Sequence, residues 1–102
     1  MQNASKNMKI TQVITPTAGA AAQTAIEGTE IDMAGYESVM FIVMMGTIDA
    51  TAVTSIKAQQ DTASGMASAA DLEGTSQTIA ADDDDEIFYI DLVKPQERFV
   101  RV

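Results

Sequence analysis

The sequence predicts an all-β fold, a small antiparallel β-sandwich or jelly-roll-like domain, and three observations carry that expectation. β-Branched residues dominate, with ten Ile, seven Val and eleven Thr against two Leu; such side chains fit a pleated surface better than a helix, where they lose χ1 freedom. Apolar residues recur with a period of two over several short stretches. Turn residues separate those stretches at intervals of about 8–12 residues, the spacing of a sandwich and not of βαβ units. With 102 residues, the chain has room for one core. Residues 1–7 read as a flexible N-terminal arm and residues 8–102 as a single β-sandwich domain.

The elements follow in order. Residues 1–7 are polar and hold no apolar stretch of the kind a secretory signal needs. In residues 8–15, Met8, Ile10, Gln12 and Ile14 alternate with Lys9, Thr11, Val13 and Thr15, the pattern of a half-buried first strand. Pro16 removes a ladder donor and opens a small-residue loop to residue 23. Residues 24–31 predict a strand with a bulge or bend at Gly28. Asp32, Ala34 and Gly35 form a turn ahead of the strongest strand, residues 36–45. There Tyr36, Ser38, Met40, Ile42 and Met44 share one face, and Glu37, Val39, Phe41, Val43 and Met45 the other. Beyond Ser38 both faces are apolar, so this strand is expected to be covered twice, by its own sandwich and by a further layer or a second subunit.

After a turn at residues 46–52, residues 53–60 predict another strand. Residues 61–81 form a long excursion of small and polar residues with isolated Met66, Leu72 and Ile79; one short strand or helical turn is expected near residues 66–73. Residues 87–93 are apolar, and the four residues 94–97 around Pro95 read as a hairpin connection to residues 99–102.

Composition narrows the function. Fifteen acids against six bases leave a net charge of −9, and such a surface repels a phosphate backbone, so nucleic acid is not an expected partner. The absence of His, Cys and Trp takes away the usual neutral-pH base, the thiolate and the soft metal ligands, so no enzyme and no cofactor are expected. The longest apolar run, residues 39–45, is seven residues, against about 20 for a membrane span. Asp82, Asp83, Asp84, Asp85 and Glu86 supply oxygens of the kind that bind Ca²⁺, as a calcium-dependent adhesive domain would need, but consecutive acids in an extended chain point in alternating directions; the favoured reading is a solvated loop that guards the following strand from edge pairing. Asp49 and Asp91 are the carboxylates a hydrolytic dyad would need, but nothing in the sequence fixes their separation. Interaction residues are better candidates. Met40, Met44 and Met45 supply adaptable apolar contacts, to the core or to an interface. Arg98 and Arg101 fall on opposite faces of one strand, each set to pair with an acid on its own chain or a partner.

Several of these segments carry a resemblance. Ile31-Asp32-Met33-Ala34-Gly35-Tyr36-Glu37-Ser38-Val39, residues 61–65, Ile90-Asp91-Leu92 with Lys94-Pro95, and Arg98-Phe99-Val100-Arg101-Val102 together resemble a group of small structural proteins of tailed bacteriophages. The resemblance implies a virion component, a capsid decoration (cement) protein on the outer capsid surface. Its implied partners are the major capsid protein and further copies of the chain, a trimer in the first instance. A tail, neck or fibre-associated component and a host-surface glycan-binding module are the alternatives. The resembling proteins continue with another strand where this sequence stops, so residues 99–102 are expected either to form a protected edge or to precede further chain.

Overall fold

The computed structural model describes residues 4–16, 25–49, 54–80 and 82–102. Apart from one helical turn, α1 (Ala4–Asn7), its regular structure is entirely β: β1 (Ile31–Asp32), β2 (Ser38–Met44), β3 (Thr54–Ile56), β4 (Gln59–Asp61), β5 (Ala70–Asp71), β6 (Gln77–Ile79), β7 (Ile87–Val93) and β8 (Phe99–Arg101). All pairings are antiparallel, as expected. A four-stranded sheet has the order β1-β8-β4-β5, and two ribbons, β2-β7 and β3-β6, complete the strand pairs.

The β2-β7 ribbon is the longest ladder, with Phe41 opposite Ile90 and Val39 opposite Leu92. Because side chains alternate across a strand, these four point to one side, where Phe41, Ile90 and Leu92 are buried with Met33, Ala58 and Val100. Ile31, Val39, Ile56 and Val102 pack around that cluster. The core thus lies between the inner face of the ribbon and the four-stranded sheet. Isolated two-stranded ribbons are marginal in water, so this packing is what holds β2 and β7 in place.

The turn into β2 forms as its residues dictate. Asp32 Oδ1 accepts the Ala34 N–H at 3.0 Å, Tyr36 N–H donates to the Met33 carbonyl, and Gly35 takes a φ of 84°, which a side chain would oppose.

Several sequence expectations are corrected. Residues 8–15 form no strand among the described residues: Thr29 N–H donates to the Val13 carbonyl at 2.9 Å, and Met8 and Ile10 lie exposed. Alternation creates a strand only when an edge is there to receive it, and residues 8–12 meet none. The expected strand at residues 24–31 contracts to β1, with Thr24 outside the described residues. The segment at residues 53–60, described from residue 54, breaks at Lys57 and Ala58 into β3 and β4, which join different sheets. Last, β7 and β8 are not a hairpin. β7 pairs with β2, while β8 lies inside the sheet between β1 and β4, so residues 94–98 carry the chain from one layer to the other. Lys94, at φ 50°, donates its N–H to the Glu37 carbonyl at 2.7 Å and makes that corner. Residues 99–101 are therefore interior and not an edge. The excursion holds two short strands, β5 and β6, where one short element was expected.

Gly28 marks a close approach in place of a bulge. It is buried, its N–H donates to the Val102 carbonyl at 2.7 Å, and a Cβ there would lie 3.0 Å from that carbonyl oxygen. A Gly28→Val variant is expected to lose about 1–3 kcal/mol of unfolding free energy through overpacking. A urea titration measures it as a lower midpoint with an unchanged slope.

Candidate functional site

The same alternation that buries Phe41 turns the other half of the ribbon outward. The outward pairs are Ser38–Val93, Met40–Asp91, Ile42–Tyr89 and Met44–Ile87. Met40, Ile42, Met44, Ile87, Tyr89 and Val93 are each more than half exposed, Met44 at 76%. Six large apolar side chains on neighbouring rungs form one exposed patch. Asp91 is its one charged residue.

Met40 and Met44 belong to this face. Met45 does not: it follows β2 on the opposite side, half-buried, with its N–H donating to the Glu86 carbonyl at 3.0 Å. Ile42, Ile87, Tyr89 and Val93 share this face without having been singled out in the sequence, although the period of two in residues 87–93 places three of them beside Met40 and Met44 once the pairing partner of β7 is known.

Both arginines are engaged within the chain. Arg98 holds Asp32 through two bonds of 2.8 Å, from Nε to Oδ1 and from Nη2 to Oδ2, and its guanidinium lies 5.2 Å from the centroid of Phe99. Arg101 holds both Glu27 carboxylate oxygens at 3.0 Å and donates Nε–H to Gln59 Oε1. These bidentate pairs brace the sheet that backs the core. An open cleft beside them, lined by Met33, Tyr36, Glu37, Lys94 and Arg98, contains no nucleophile paired with a base.

The acidic run is used structurally. Asp84 Oδ1 accepts the Ile48 N–H at 2.7 Å and Asp83 Oδ2 the Ala80 N–H at 2.8 Å, so both carboxylates fasten turns. Asp49 and Asp91 sit on different elements, the connection after β2 and the outer face of β7. Among the described residues, no group of three or more acidic side chains is gathered to hold a metal ion, and no helix is long and apolar enough to cross a membrane.

No family model, curated protein or solved structure matches the chain.

Asp61 anchors the excursion, with its carboxylate accepting the N–H groups of Ala63 at 3.2 Å and Ser68 at 2.9 Å. Across from it, Glu30 accepts the Ser64 hydroxyl and the Gly65 N–H. The Ala63 bond holds the Asp61 carboxyl below its usual range, assisted by Ser68 and Thr62. Asp32 is held down to about 2, chiefly by Arg98 and then by the Ala34 N–H. A carboxylate whose folded value is depressed contributes stability that is complete above its ordinary value near 3.8 and is lost as the pH falls through its folded value. The melting temperature is accordingly expected to fall between about pH 4 and pH 2, and the double variant Asp32→Asn/Asp61→Asn is expected to flatten that slope in a series of thermal melts.

Proposed function

We propose that this chain is a non-enzymatic structural protein of a tailed-bacteriophage virion, a capsid decoration (cement) protein that stabilises the head by bridging subunits of the major capsid protein. The observation that carries the reading is the bare apolar face of the β2-β7 ribbon. A 102-residue chain buries only about two-thirds of its unfolded surface, and each Met or Ile taken out of water on assembly adds roughly 1.5–3 kcal/mol. A face with several such residues on a rigid body suits repeated docking on a shell. Bound copies then raise the cost of opening that shell, because dissociation must break the added contacts too.

The rest of the chain supports the same reading. The net charge of −9 keeps crowded copies apart in solution and unattracted to packaged nucleic acid. The phage-like segments bear on the same structure: the Asp32–Glu37 stretch is the turn that launches β2, and the Lys94–Arg98 stretch is the crossover from β7 to β8. A homo-oligomer, a trimer in the first instance, on the outer capsid surface is the corresponding assembly.

Sedimentation of the purified chain with bare capsids tests this directly. Saturable attachment at a fixed ratio to the major capsid protein is the expected result. Failure to sediment at any concentration would overturn the head assignment, and location on the tail or neck in particle images would move the assignment within the virion.

A further inference from the structure

We propose that the outer face of the β2-β7 ribbon is covered by the N-terminal segment of a second copy of the chain, residues 6–12, lying extended along it. This inference rests on the reading of that face as an assembly surface and assigns its contact to a neighbouring copy within the shell-bound assembly, so that attachment of the copies to the shell depends on it.

The first argument is charge. All fifteen acids lie at or beyond Glu27, whereas the N-terminal 26 residues carry Lys6 and Lys9 and no acid, so a basic segment is attached to a strongly acidic body. Among the described residues the ion pairs are Lys57–Asp71, Arg98–Asp32 and Arg101–Glu27; Lys6 and Asp91 enter none of them.

The second argument is pattern. Residues 8–12 have the alternation of a strand but no strand partner, and Ile10 is 88% exposed. α1 is four residues long, too short to persist unaided, so Lys6 joins the series Lys6, Met8, Ile10 when the segment extends. That order of one cation and two apolar side chains matches the outward rungs of the ribbon: Met40–Asp91, Ile42–Tyr89, Met44–Ile87. Both series step by two residues, about 6.6 Å. Lys6 then meets Asp91, Met8 lies over Ile42 and Tyr89, and Ile10 lies over Met44 and Ile87.

The third argument is the root of the segment. Val13 packs against the core and accepts the Thr29 N–H, and neighbouring Gly28 is bonded to Val102 beyond the end of β8. The segment thus leaves from the four-stranded layer, on the far side of the core from the outward ribbon face, and is placed to reach a neighbour. Contact between a segment and a different surface is heterologous, and it closes into a ring when the rotation permits.

The test uses the full-length chain and sedimentation equilibrium. The wild type is expected to self-associate, more weakly as salt rises. Lys6→Glu and Asp91→Lys are each expected to raise the dissociation constant about tenfold, and the double variant Lys6→Glu/Asp91→Lys to recover most of the loss. Ile10→Asp is expected to abolish association while leaving the melting temperature unchanged, since Ile10 touches little in the isolated fold. A wild type that stays monomeric, or a double variant no better than the single ones, would overturn the inference. The two readings fail separately. A monomer that saturates capsids through the ribbon face leaves the proposed function standing without the exchanged segment, and an oligomer with charge-swap recovery that ignores capsids does the reverse.

Discussion

Replacing Phe41 with alanine is expected to lower the unfolding free energy by about 3–5 kcal/mol, the cost of removing a buried aromatic ring and leaving a cavity. Phe41 is 5% exposed and lies opposite Ile90 in the register of the ribbon. It belongs to the buried cluster that joins the ribbon to Val100 of the four-stranded sheet. Loss of the ring withdraws contacts from both layers at once, and among the described residues β2 and β7 have only each other as ladder partners. Small domains have a total stability of about 5–15 kcal/mol, so the variant is expected to lose about a third or more of it unless the wild type lies near the upper end of that range. Guanidinium titration followed by circular dichroism gives the measurement.

One residue further along the same strand the expectation reverses. Ile42→Lys should change the unfolding free energy by less than about 1 kcal/mol, as exposed substitutions do, because Ile42 is 63% exposed and lies on the outward face of the ribbon. The new ammonium would lie diagonal to Asp91 on the outward face, a tolerable position for the isolated chain. Attachment to capsids should nevertheless be lost, since taking an ammonium out of water at the centre of an apolar contact costs several kcal/mol that the neighbouring Asp91 does not fully return. Capsid sedimentation and thermal melting on the same preparation separate the two effects. Ile42→Lys protein that melts at a lower temperature and still binds would place the ribbon the wrong way round.

The contrast between these neighbours explains what could be read from the sequence. The alternation in residues 36–45 located β2 within two residues at its start and one at its end, and it identified two apolar faces. It also assigned Phe41 and Ile42 to opposite faces, because a period of two needs no knowledge of the partner strand. Which face turns inward depends on what lies above it, and that is set by residues far away in the chain. The same limit explains the mistaken hairpin. Pro95 and the short link to residue 99 had the local chemistry of a turn, but Phe88, Ile90 and Leu92 could satisfy their burial only against Val43, Phe41 and Val39, some fifty positions earlier. Arg98 and Arg101 were readable as ion-pair formers, whereas Asp32 and Glu27 as their partners follow from the crossing of β8 beside β1. For residues 8–12 the pattern was sound and the partner was missing.

The most direct measurement is the rate of hydroxyl-radical oxidation at Met40 and Met44, followed by mass spectrometry, in the dilute chain and in the capsid-bound assembly. Both thioethers should oxidise readily in the dilute chain and become strongly protected on attachment, while the already buried Met33 and Met66 react slowly in both. Equal oxidation of Met40 and Met44 in the two states would mean that no neighbour seals the outward side of the ribbon, and the proposed role in assembly would lose its physical basis.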